Sequence, residues 1–271
     1  MGDYQLGREL TSVELRRIQL EILKVIDEFC GQNNIRYSLA YGSLLGAVRH
    51  GGYIPWDDDI DIFVPREDFD RMIQLFPENH KNHYKIASLG RDPLYLRPYA
   101  KAYDDNTVLV EHVRDKKMSV SILIFFLLIT CLTMRLKYDK KRRRINTLFR
   151  LRFVKLKKGR SIWKNLTLIL LNVLTAPLSL RRWAEYMDRM AQKFRKEQGE
   201  YCYDNCNGIY KIQRYRREWF DNLVDLPFEN CKFKVFAEFD KCLSITYGDY
   251  MTPPPVEKRQ TRHSFNAYFK K

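Results

Sequence analysis

Residues 37–61 read YSLAYGSLLGAVRHGGYIPWDDDID, a glycine-serine turn followed by a dense group of acids. Apolar residues alternate with polar ones from Ile35 to Leu39, and this period predicts a short strand that ends close to Gly42-Ser43. Residues 44–49 have the pattern of one or two helical turns. A glycine between a strand and a helix allows a phosphate to approach the backbone, and the helix start offers unpaired N–H groups. We therefore expect a phosphate-binding turn at Gly42 and Ser43.

The acids of this stretch indicate a metal site. In a strand, Asp59 and Asp61 would lie on one face, roughly 7 Å apart, while Ile60 and Ile62 face the core. Two carboxylates that converge at the end of a strand repel each other unless a cation lies between them. Magnesium takes protein carboxylates together with water and phosphate oxygens, so we expect Asp59 and Asp61 to bind Mg²⁺. For an Asp-x-Asp pair alone, the alternative is a solvated acidic turn without a ligand.

The order of these features resembles a known family. Gly-Ser, a gap of fifteen residues and then Asp-apolar-Asp-apolar is similar to the pattern of the nucleotidyltransferase superfamily. The whole of residues 37–61 resembles, more specifically, the signature of the LicD family, phosphocholine transferases related to fukutin. The resemblance covers roughly residues 11–110 and 205–265. Its opening helix ends at Cys30, and its closing motif corresponds to Tyr247-Gly-Asp-Tyr-Met, Pro254-Pro255, Arg259 and His263.

The resemblance implies a fold, an activity and roles for individual residues. The implied fold is α/β or α+β, with a nucleotidyltransferase-like mixed β-sheet flanked by helices. The implied enzyme is a magnesium-dependent phosphotransferase that moves a phospho-alcohol from a CDP-linked donor such as CDP-choline to a glycan or lipid-linked glycan, releasing CMP. The acceptor would be a lipopolysaccharide or teichoic-acid precursor. Asp59 and Asp61 would be the catalytic metal ligands, and Gly42 and Ser43 would bind the donor phosphates. Arg49 would pair with these phosphates, and the alternative for it is a solvated arginine at the end of a helix.

One expected acid is missing from the sequence. LicD-like sequences carry a third carboxylate in an Ile-Asp-Ile-Phe-Pro-Leu-Asp stretch, and the corresponding residues 122–128 read ILIFFLL, which places Leu123 at the acid position. Losing a well-placed base typically costs about 10²- to 10⁴-fold in rate, so activity becomes doubtful unless Asp104 or Asp105 compensates. A membrane-associated binding protein derived from the transferase therefore stays an alternative. Nucleotidylyl transfer to a small molecule is another, because Gly-Ser and Asp-x-Asp alone permit it.

The charge of the chain is concentrated in one segment. The net charge is +15, and residues 135–160 hold thirteen basic residues and one acid, which gives that segment +12. Basic residues interspersed with apolar ones favour an anionic membrane surface as the partner. Nucleic acid is not expected, because no zinc-finger spacing or RNA-recognition signature accompanies the basic segment. A merely solvated helical face remains the alternative.

Residues 118–134 form a stretch of seventeen residues without a charge, which sits at the lower limit for a membrane-spanning helix. The resemblance instead places a core strand here, so we predict a strand and keep a single transmembrane segment as the less favoured alternative. The first ten residues lack the pattern of a secretory signal. We therefore expect a cytoplasmic protein, peripheral at the inner face of the membrane, whose six cysteines are reduced and mostly buried.

Three segments are predicted: a catalytic core at 1–134, a basic and partly apolar helical lobe inserted at 135–200, and a C-terminal part at 201–271 that completes the core. Periodicity predicts a helix from Thr11, with a capping box to Glu14, up to a stop at Gly31. Further helices and strands are predicted by the same criterion. The helices are 67–75, 166–178, 183–194 and 237–245, and the strands are 84–87, 95–103 and 107–110.

Overall fold

The computed structural model describes residues 5–78, 83–111, 120–121, 126–133, 161–175, 179–193, 199–204, 213–261 and 265–271. Its helices are α1 Ser12–Gln32, α2 Tyr41–His50, α3 Arg66–Leu75, α4 Ile162–Thr175, α5 Leu180–Lys193 and α6 Phe239–Tyr247. Its strands are β1 Leu6–Glu9, β2 Ser38–Leu39, β3 Ile60–Pro65, β4 Tyr84–Ala87, β5 Ala100–Asp104, β6 Thr107–Glu111, β7 Val120–Ser121, β8 Phe126–Thr133, β9 Tyr201–Asp204, β10 Tyr215–Arg216, β11 Leu223–Phe228, β12 Cys231–Phe236 and β13 Phe265–Lys270.

The central sheet is mixed and contains seven strands. Its order is β10-β9-β8-β3-β2, and β5 joins β8 and carries β4 on its other side. The β3–β8 pair is parallel, whereas the other pairs of this sheet are antiparallel. A second sheet has the order β1-β13-β6-β7, and β11 pairs with β12. This mixed arrangement with helices confirms the predicted fold class.

Helix α1 begins and ends for local reasons. The Glu14 N–H donates to Thr11 Oγ1 (3.2 Å) and the Thr11 N–H donates to Glu14 Oε2 (2.9 Å), which confirms the capping box. The predicted stop at Gly31 is wrong, because the helix continues to Gln32 and the Asn33 N–H donates to the carbonyl oxygen of Phe29. The turn out of the helix is made at Asn34, whose φ is +51°. One side of the helix is buried, at Leu15, Gln19, Ile22, Leu23, Ile26 and Cys30.

The uncharged segment contributes a strand to the core of the sheet. Strand β8 lies between β3 and β9, with Ile60 opposite Phe126 and Pro65 opposite Cys131. The predicted strand is therefore confirmed for residues 126–133, while the remainder of 118–134, apart from 120–121, lies outside the described residues. Among the helices that the structure describes, none has the length and apolar character needed to cross a bilayer.

The two later helices lie in different surroundings. Helix α5 packs on α3: the buried Arg66 guanidinium pairs with Asp70 (2.7 Å) on its own helix and with Asp188 on α5. Helix α4, by contrast, exposes most of its large apolar side chains. Both helices were predicted, although α4 begins at Ile162, four residues earlier than expected. The basic residues 135–160 lie outside the described part of the chain.

The remaining predictions of secondary structure need small changes. Strands β4 and β6 lie where they were predicted, and α6 is shifted by two residues from the predicted 237–245. The predicted strand at 95–103 is partly wrong, because β5 begins only at Ala100. Tyr95 lies in a turn, where its N–H donates to the carbonyl oxygen of Asp92 (3.1 Å). Four cysteines whose side chains the structure describes, Cys30, Cys202, Cys231 and Cys242, are free thiols, and all of these except Cys231 are buried.

Candidate active site

The glycine-serine turn lies directly beside the acidic strand. The Ala40 N–H donates to the carbonyl oxygen of Asp61 (2.8 Å), and Tyr41 then takes a φ of +45°, which turns the chain into α2. The Ser43 Oγ accepts a hydrogen bond from the Asp61 N–H (2.8 Å), and Ser43 itself is 4% exposed. Two hydrogen bonds therefore fix the start of α2 to β3. The sequence predicts that the Gly42-Ser43 turn and Asp61 act together, and these hydrogen bonds hold them next to each other.

Gly42 is needed at its position because an acid approaches it closely. A Cβ built on Gly42 would lie 2.1 Å from Asp57 Oδ2, which is far inside van der Waals contact. Any side chain at this position would displace the Asp57 carboxylate or the turn itself. The sequence predicts close approach of a phosphate here, and the structure shows close approach of a carboxylate.

Three consecutive carboxylates form a cluster in front of β3. Asp57, Asp58 and Asp59 each offer an oxygen, and the three oxygens lie within 4.8 Å of one another. Helix α1 holds the backbone of this segment, since Arg16 donates to the carbonyl oxygen of Asp57 (2.9 Å) and Gln19 donates to that of Asp58 (2.8 Å). The strand begins only at Ile60, so Asp59 precedes it. The group of acids at this site is therefore larger than the pair that the sequence singles out.

Asp61 carries a carboxylate oxygen in an unusual environment. Its Oδ1 is buried and has no hydrogen-bond partner among the described residues. Burial raises the pKa of Asp61 well above its ordinary value, and the nearby carboxylates of Asp59, Asp57 and Asp204 raise it further. The neighbouring Ile60 and Ile62 are fully buried, as predicted. A buried oxygen without a partner, surrounded by acids, fits a bound cation.

The donor set could hold a hard divalent cation. Asp57, Asp58, Asp59 and Asp61 offer only carboxylate oxygens, which are ligands that Mg²⁺ and Ca²⁺ prefer. Asp59 and Asp61, which the sequence predicts as metal ligands, both belong to this set. Asp57 and Asp58 were not predicted to be ligands. Thr261 reaches the cluster from the C-terminal segment, where its hydroxyl donates to Asp58.

A further acid, Asp204, was missed by the sequence analysis. It lies on β9, is 6% exposed, and accepts a hydrogen bond from the Tyr41 hydroxyl (2.7 Å) at the start of α2. Its proximity follows from the pairing of β9 with β8, which joins residues about seventy positions apart. No local pattern around residues 201–204 could have indicated it. Leu123, the predicted vacancy for the third carboxylate, lies outside the described residues.

Asp104 and Asp105, predicted as possible substitutes for the third carboxylate, have structural contacts at the β5–β6 turn. Asp105 accepts hydrogen bonds from Lys85 (2.6 Å) and Lys270 (2.8 Å), whose amino groups lower its pKa against the effect of burial. Asp104 accepts one from the N–H of Asn106 (2.9 Å). These contacts tie the turn to β4 and β13.

Arg49, predicted to pair with donor phosphates, lies at the end of α2. Its Nη1 donates to the carbonyl oxygen of Tyr250 (2.6 Å) and its Nε donates to Nε2 of His50 (3.0 Å). His50 packs edge-on against Trp56, with 6.2 Å between ring centroids. Burial lowers the pKa of His50, and the charge of Arg49 lowers it further.

Known proteins are similar to this region and, in one case, to almost the whole chain. A family model described as "LicD/FKTN/FKRP, nucleotidyltransferase domain" matches residues 34–160. The chain is 29% identical to the Lipopolysaccharide cholinephosphotransferase LicD of Haemophilus influenzae, over 96% of this chain and 99% of that protein. It is 54% identical over 41 residues to the human Ribitol 5-phosphate transferase FKRP, a segment that covers 15% of this chain and 8% of that protein. An uncharacterized protein of Rickettsia typhi is 37% identical over 32% of this chain and 28% of its own length.

The matches include the elements that build the site. The family model spans the glycine-serine turn, the acid cluster and β8. The match to the Haemophilus influenzae protein extends over 96% of the chain. Two of the matched proteins are named as transferases of phosphate-containing groups. Over residues 34–160 the chain is therefore similar to the LicD/FKTN/FKRP nucleotidyltransferase domain, and over 96% of its length it is similar to a LicD cholinephosphotransferase.

Proposed function

We propose that this chain is a magnesium-dependent phosphotransferase that moves a phospho-alcohol, phosphocholine in the first instance, from a CDP-linked donor to a hydroxyl of a cell-surface glycan precursor. The observation that carries the proposal is the acid cluster with its buried, unpartnered Asp61 oxygen beside the Gly42-Ser43 turn. The names of the two transferases among the relatives support the reaction class. The name of the Haemophilus influenzae protein supports choline as the alcohol and a lipopolysaccharide as the acceptor.

In the proposed reaction, the acceptor oxygen forms a bond to the distal phosphorus of the donor. The bond from that phosphorus to the bridging oxygen breaks, CMP leaves with the bridging oxygen, and the acceptor proton passes to a base. Magnesium, when bound, supplies positive charge that stabilises the phosphates during the transfer. Asp59 and Asp61, together with Asp57, would hold it.

The turn has groups suited to bind the donor phosphates. The Ser43 Oγ accepts from the Asp61 N–H, so its own hydrogen remains available to donate to a phosphate oxygen. The N-terminus of α2 adds the positive end of the helix dipole next to Gly42. Arg49 is fixed by a backbone carbonyl and not by a carboxylate of the described residues, so its charge is available to an anion.

The decisive experiment measures products. Purified protein is incubated with CDP-choline, Mg²⁺ and a glycan acceptor, and CMP and the phosphocholine-bearing product are quantified by chromatography. The proposal predicts CMP release that EDTA abolishes. CDP-ribitol in place of CDP-choline tests the other alcohol that a relative's name suggests. Pyrophosphate release from CTP and phosphocholine would indicate nucleotidylyl transfer instead, and binding of CDP-choline without turnover would indicate a binding protein.

We also propose that the protein acts at the cytoplasmic face of an anionic membrane, where a lipid-linked acceptor would be reached. Support comes from α4, on which Trp163 is 79% exposed, Ile162 74% and Val173 64%. The exposed apolar residues recur at helical spacing, at Ile162, Trp163, Leu166, Ile169, Leu170 and Val173. The +12 segment 135–160 immediately precedes this helix in the sequence. Apolar and cationic groups in combination are typical of helices that lie in the membrane interface.

Sedimentation with vesicles tests the membrane proposal. Binding to phosphatidylglycerol vesicles should weaken as salt is added, and vesicles of phosphatidylcholine should bind less protein. Neutralising the four basic residues 141–144 to glutamine should reduce binding to the anionic vesicles. Unchanged binding by that variant would contradict the electrostatic part of the proposal.

A further inference from the structure

A second arginine, Arg259, lies over the residue that precedes the acids. Its guanidinium carbon is 5.3 Å from the centroid of the Trp56 ring, a cation–π contact. Its Nε donates to the carbonyl oxygen of Pro254 (2.8 Å), which fixes the direction of the guanidinium. Two residues farther along, the Thr261 hydroxyl donates to the carboxylate of Asp58. The C-terminal segment therefore brings Arg259 to the edge of the acid cluster.

Arg259 and Arg49 belong to one closed series of contacts. Arg49 contacts His50, His50 packs on Trp56, and Trp56 lies under Arg259. The series closes through the backbone of residues 250–254, whose carbonyl oxygens accept from both arginines. Two guanidinium groups are thus held around one tryptophan.

The two positive charges are close together and are not neutralised within the described part of the chain. No described carboxylate forms an ion pair with either arginine, and both are held by neutral carbonyl oxygens. Burial lowers the pKa of Arg49, and the charge of Arg259 lowers it further. Like charges held around one tryptophan repel each other unless an anion lies between them. Carbonyl contacts leave the other N–H groups of each planar guanidinium free to bind phosphate oxygens.

We propose that Arg259 and Arg49 form a two-arginine site that binds a phosphate group of the nucleotide donor. The site lies at the edge of the acid cluster, so a pyrophosphate could contact the arginines on one side and a metal ion held by the carboxylates on the other. The identity of the anion as a donor phosphate rests on the proposed function. The inference that the arginine pair binds an anion does not depend on the proposed function.

Isothermal titration calorimetry in the presence of Mg²⁺ tests whether the arginine pair binds an anion. The two probes are CDP and inorganic pyrophosphate. Arg259→Gln and Arg49→Gln should each weaken both probes by about tenfold or more, the loss expected for a charge-assisted hydrogen bond. Arg259→Lys keeps the charge but loses the planar fork, so it should fall between wild type and Arg259→Gln. Arg182→Gln is the matched control, because Arg182 is an exposed arginine on α5, outside this series of contacts. It should bind both probes as wild type does.

The results of these titrations test the anion site separately from the proposed transferase activity. Wild-type affinity of Arg259→Gln for pyrophosphate would overturn the proposal, even if CDP binding fell, because the contact would then be to the nucleoside. Failure of the wild-type protein to bind either probe would overturn it as well. If binding of both probes depends on the arginines but no CMP is released from CDP-choline, the anion site stands and the proposed function fails. An unchanged thermal midpoint of Arg259→Gln shows that any loss is not due to unfolding.

Discussion

The acid cluster and helix α4 use their side chains in opposite ways. Around the acids, segments distant in sequence meet through polar contacts: Arg16 and Gln19 from α1, and Thr261 from the C-terminal segment. On α4, six large apolar side chains are between 40% and 79% exposed. The first region gathers several carboxylates, and one of them, Asp61, has a buried oxygen without a hydrogen-bond partner among the described residues. The second region has an apolar surface that no other described segment of the protein covers.

The difference indicates what each region needs from a partner. Carboxylates that lie close together repel each other and destabilise the fold, and a bound cation can offset this repulsion. Exposed apolar surface costs energy in water, which a bilayer can recover. Substitutions in the two regions should therefore change different measurements: catalysis and metal binding in the first, membrane binding in the second.

The largest effect is expected for Asp61→Asn. Removing a charge from the metal-ligand set should lower CMP release by about 10²- to 10⁴-fold, while the thermal midpoint of the metal-free protein rises because repulsion among the acids decreases. Calorimetry of the metal-free protein measures the midpoint, and a CMP assay with Mg²⁺ measures the rate. The control is Asp240→Asn, an acid on α6 that binds Tyr250 and lies outside the cluster. A lower midpoint together with full activity for Asp61→Asn would contradict a metal-ligand role.

Gly42→Ala should have the next largest effect. The new Cβ would lie 2.1 Å from Asp57 Oδ2, so the carboxylate or the turn must move by about 1 Å. A displacement of that size can cost about 10²-fold in rate. Gly31→Ala is the matched control, since a Cβ there meets nothing within 4 Å and the residue lies inside α1. Alanine at Gly31 should add about 0.5–1 kcal/mol to the free energy of unfolding. Full activity of Gly42→Ala would show that the close approach is not required.

The sequence predicts those features of the site that depend on local signals. The capping box fixed the start of α1, and the alternation of Ile60 and Ile62 with acids fixed the faces of β3. The Gly31 stop failed because packing overrides a local breaker: the preceding Cys30 is 1% exposed in the core. The glycine-serine turn was found because it is contiguous in sequence with the acids.

Features that depend on long-range pairing could not be predicted. Asp204 reaches the site only because β9 pairs with β8, and Arg259 only because residues 250–261 return to Trp56. Arg259 belongs to the closing motif of the resemblance, but neither segment carries a sequence period that specifies its partner, since strand pairing and loop contacts are decided by the assembled fold. The role of Asp57 was hidden for a related reason. Its approach to Gly42 depends on the turn at residues 55–56, where the Asp57 N–H donates to the carbonyl oxygen of Ile54 (2.9 Å), and the sequence pattern does not determine this turn.

A smaller effect, confined to membrane binding, is expected on α4. Replacing Trp163 and Leu170 by serine should weaken binding to phosphatidylglycerol vesicles by about tenfold, because less apolar area enters the bilayer. The free energy of unfolding in solution should change by no more than about 0.5 kcal/mol, since both side chains are largely exposed. Leu168→Ser is the contrasting control: Leu168 is 8% exposed, so this change should destabilise the protein. Equal vesicle binding by the double variant and wild type would contradict insertion of this face.

The smallest effect lies outside both regions, at the start of α1. The hydrogen bond from Arg8, followed by those from the Thr11 backbone and side chain, lowers the pKa of Glu14 from 4.5 to about 2. A carboxyl group whose pKa is lower in the folded protein stabilises it above the unfolded pKa, and that contribution is lost as the pH falls towards 2. Glu14→Gln should therefore be less stable than wild type at pH 7, and the difference should shrink between pH 4.5 and 2. Because the pair is exposed, high salt should reduce the difference as well. Urea unfolding at several pH values measures it, and a difference that stays constant with pH would show that the charge of Glu14 contributes nothing.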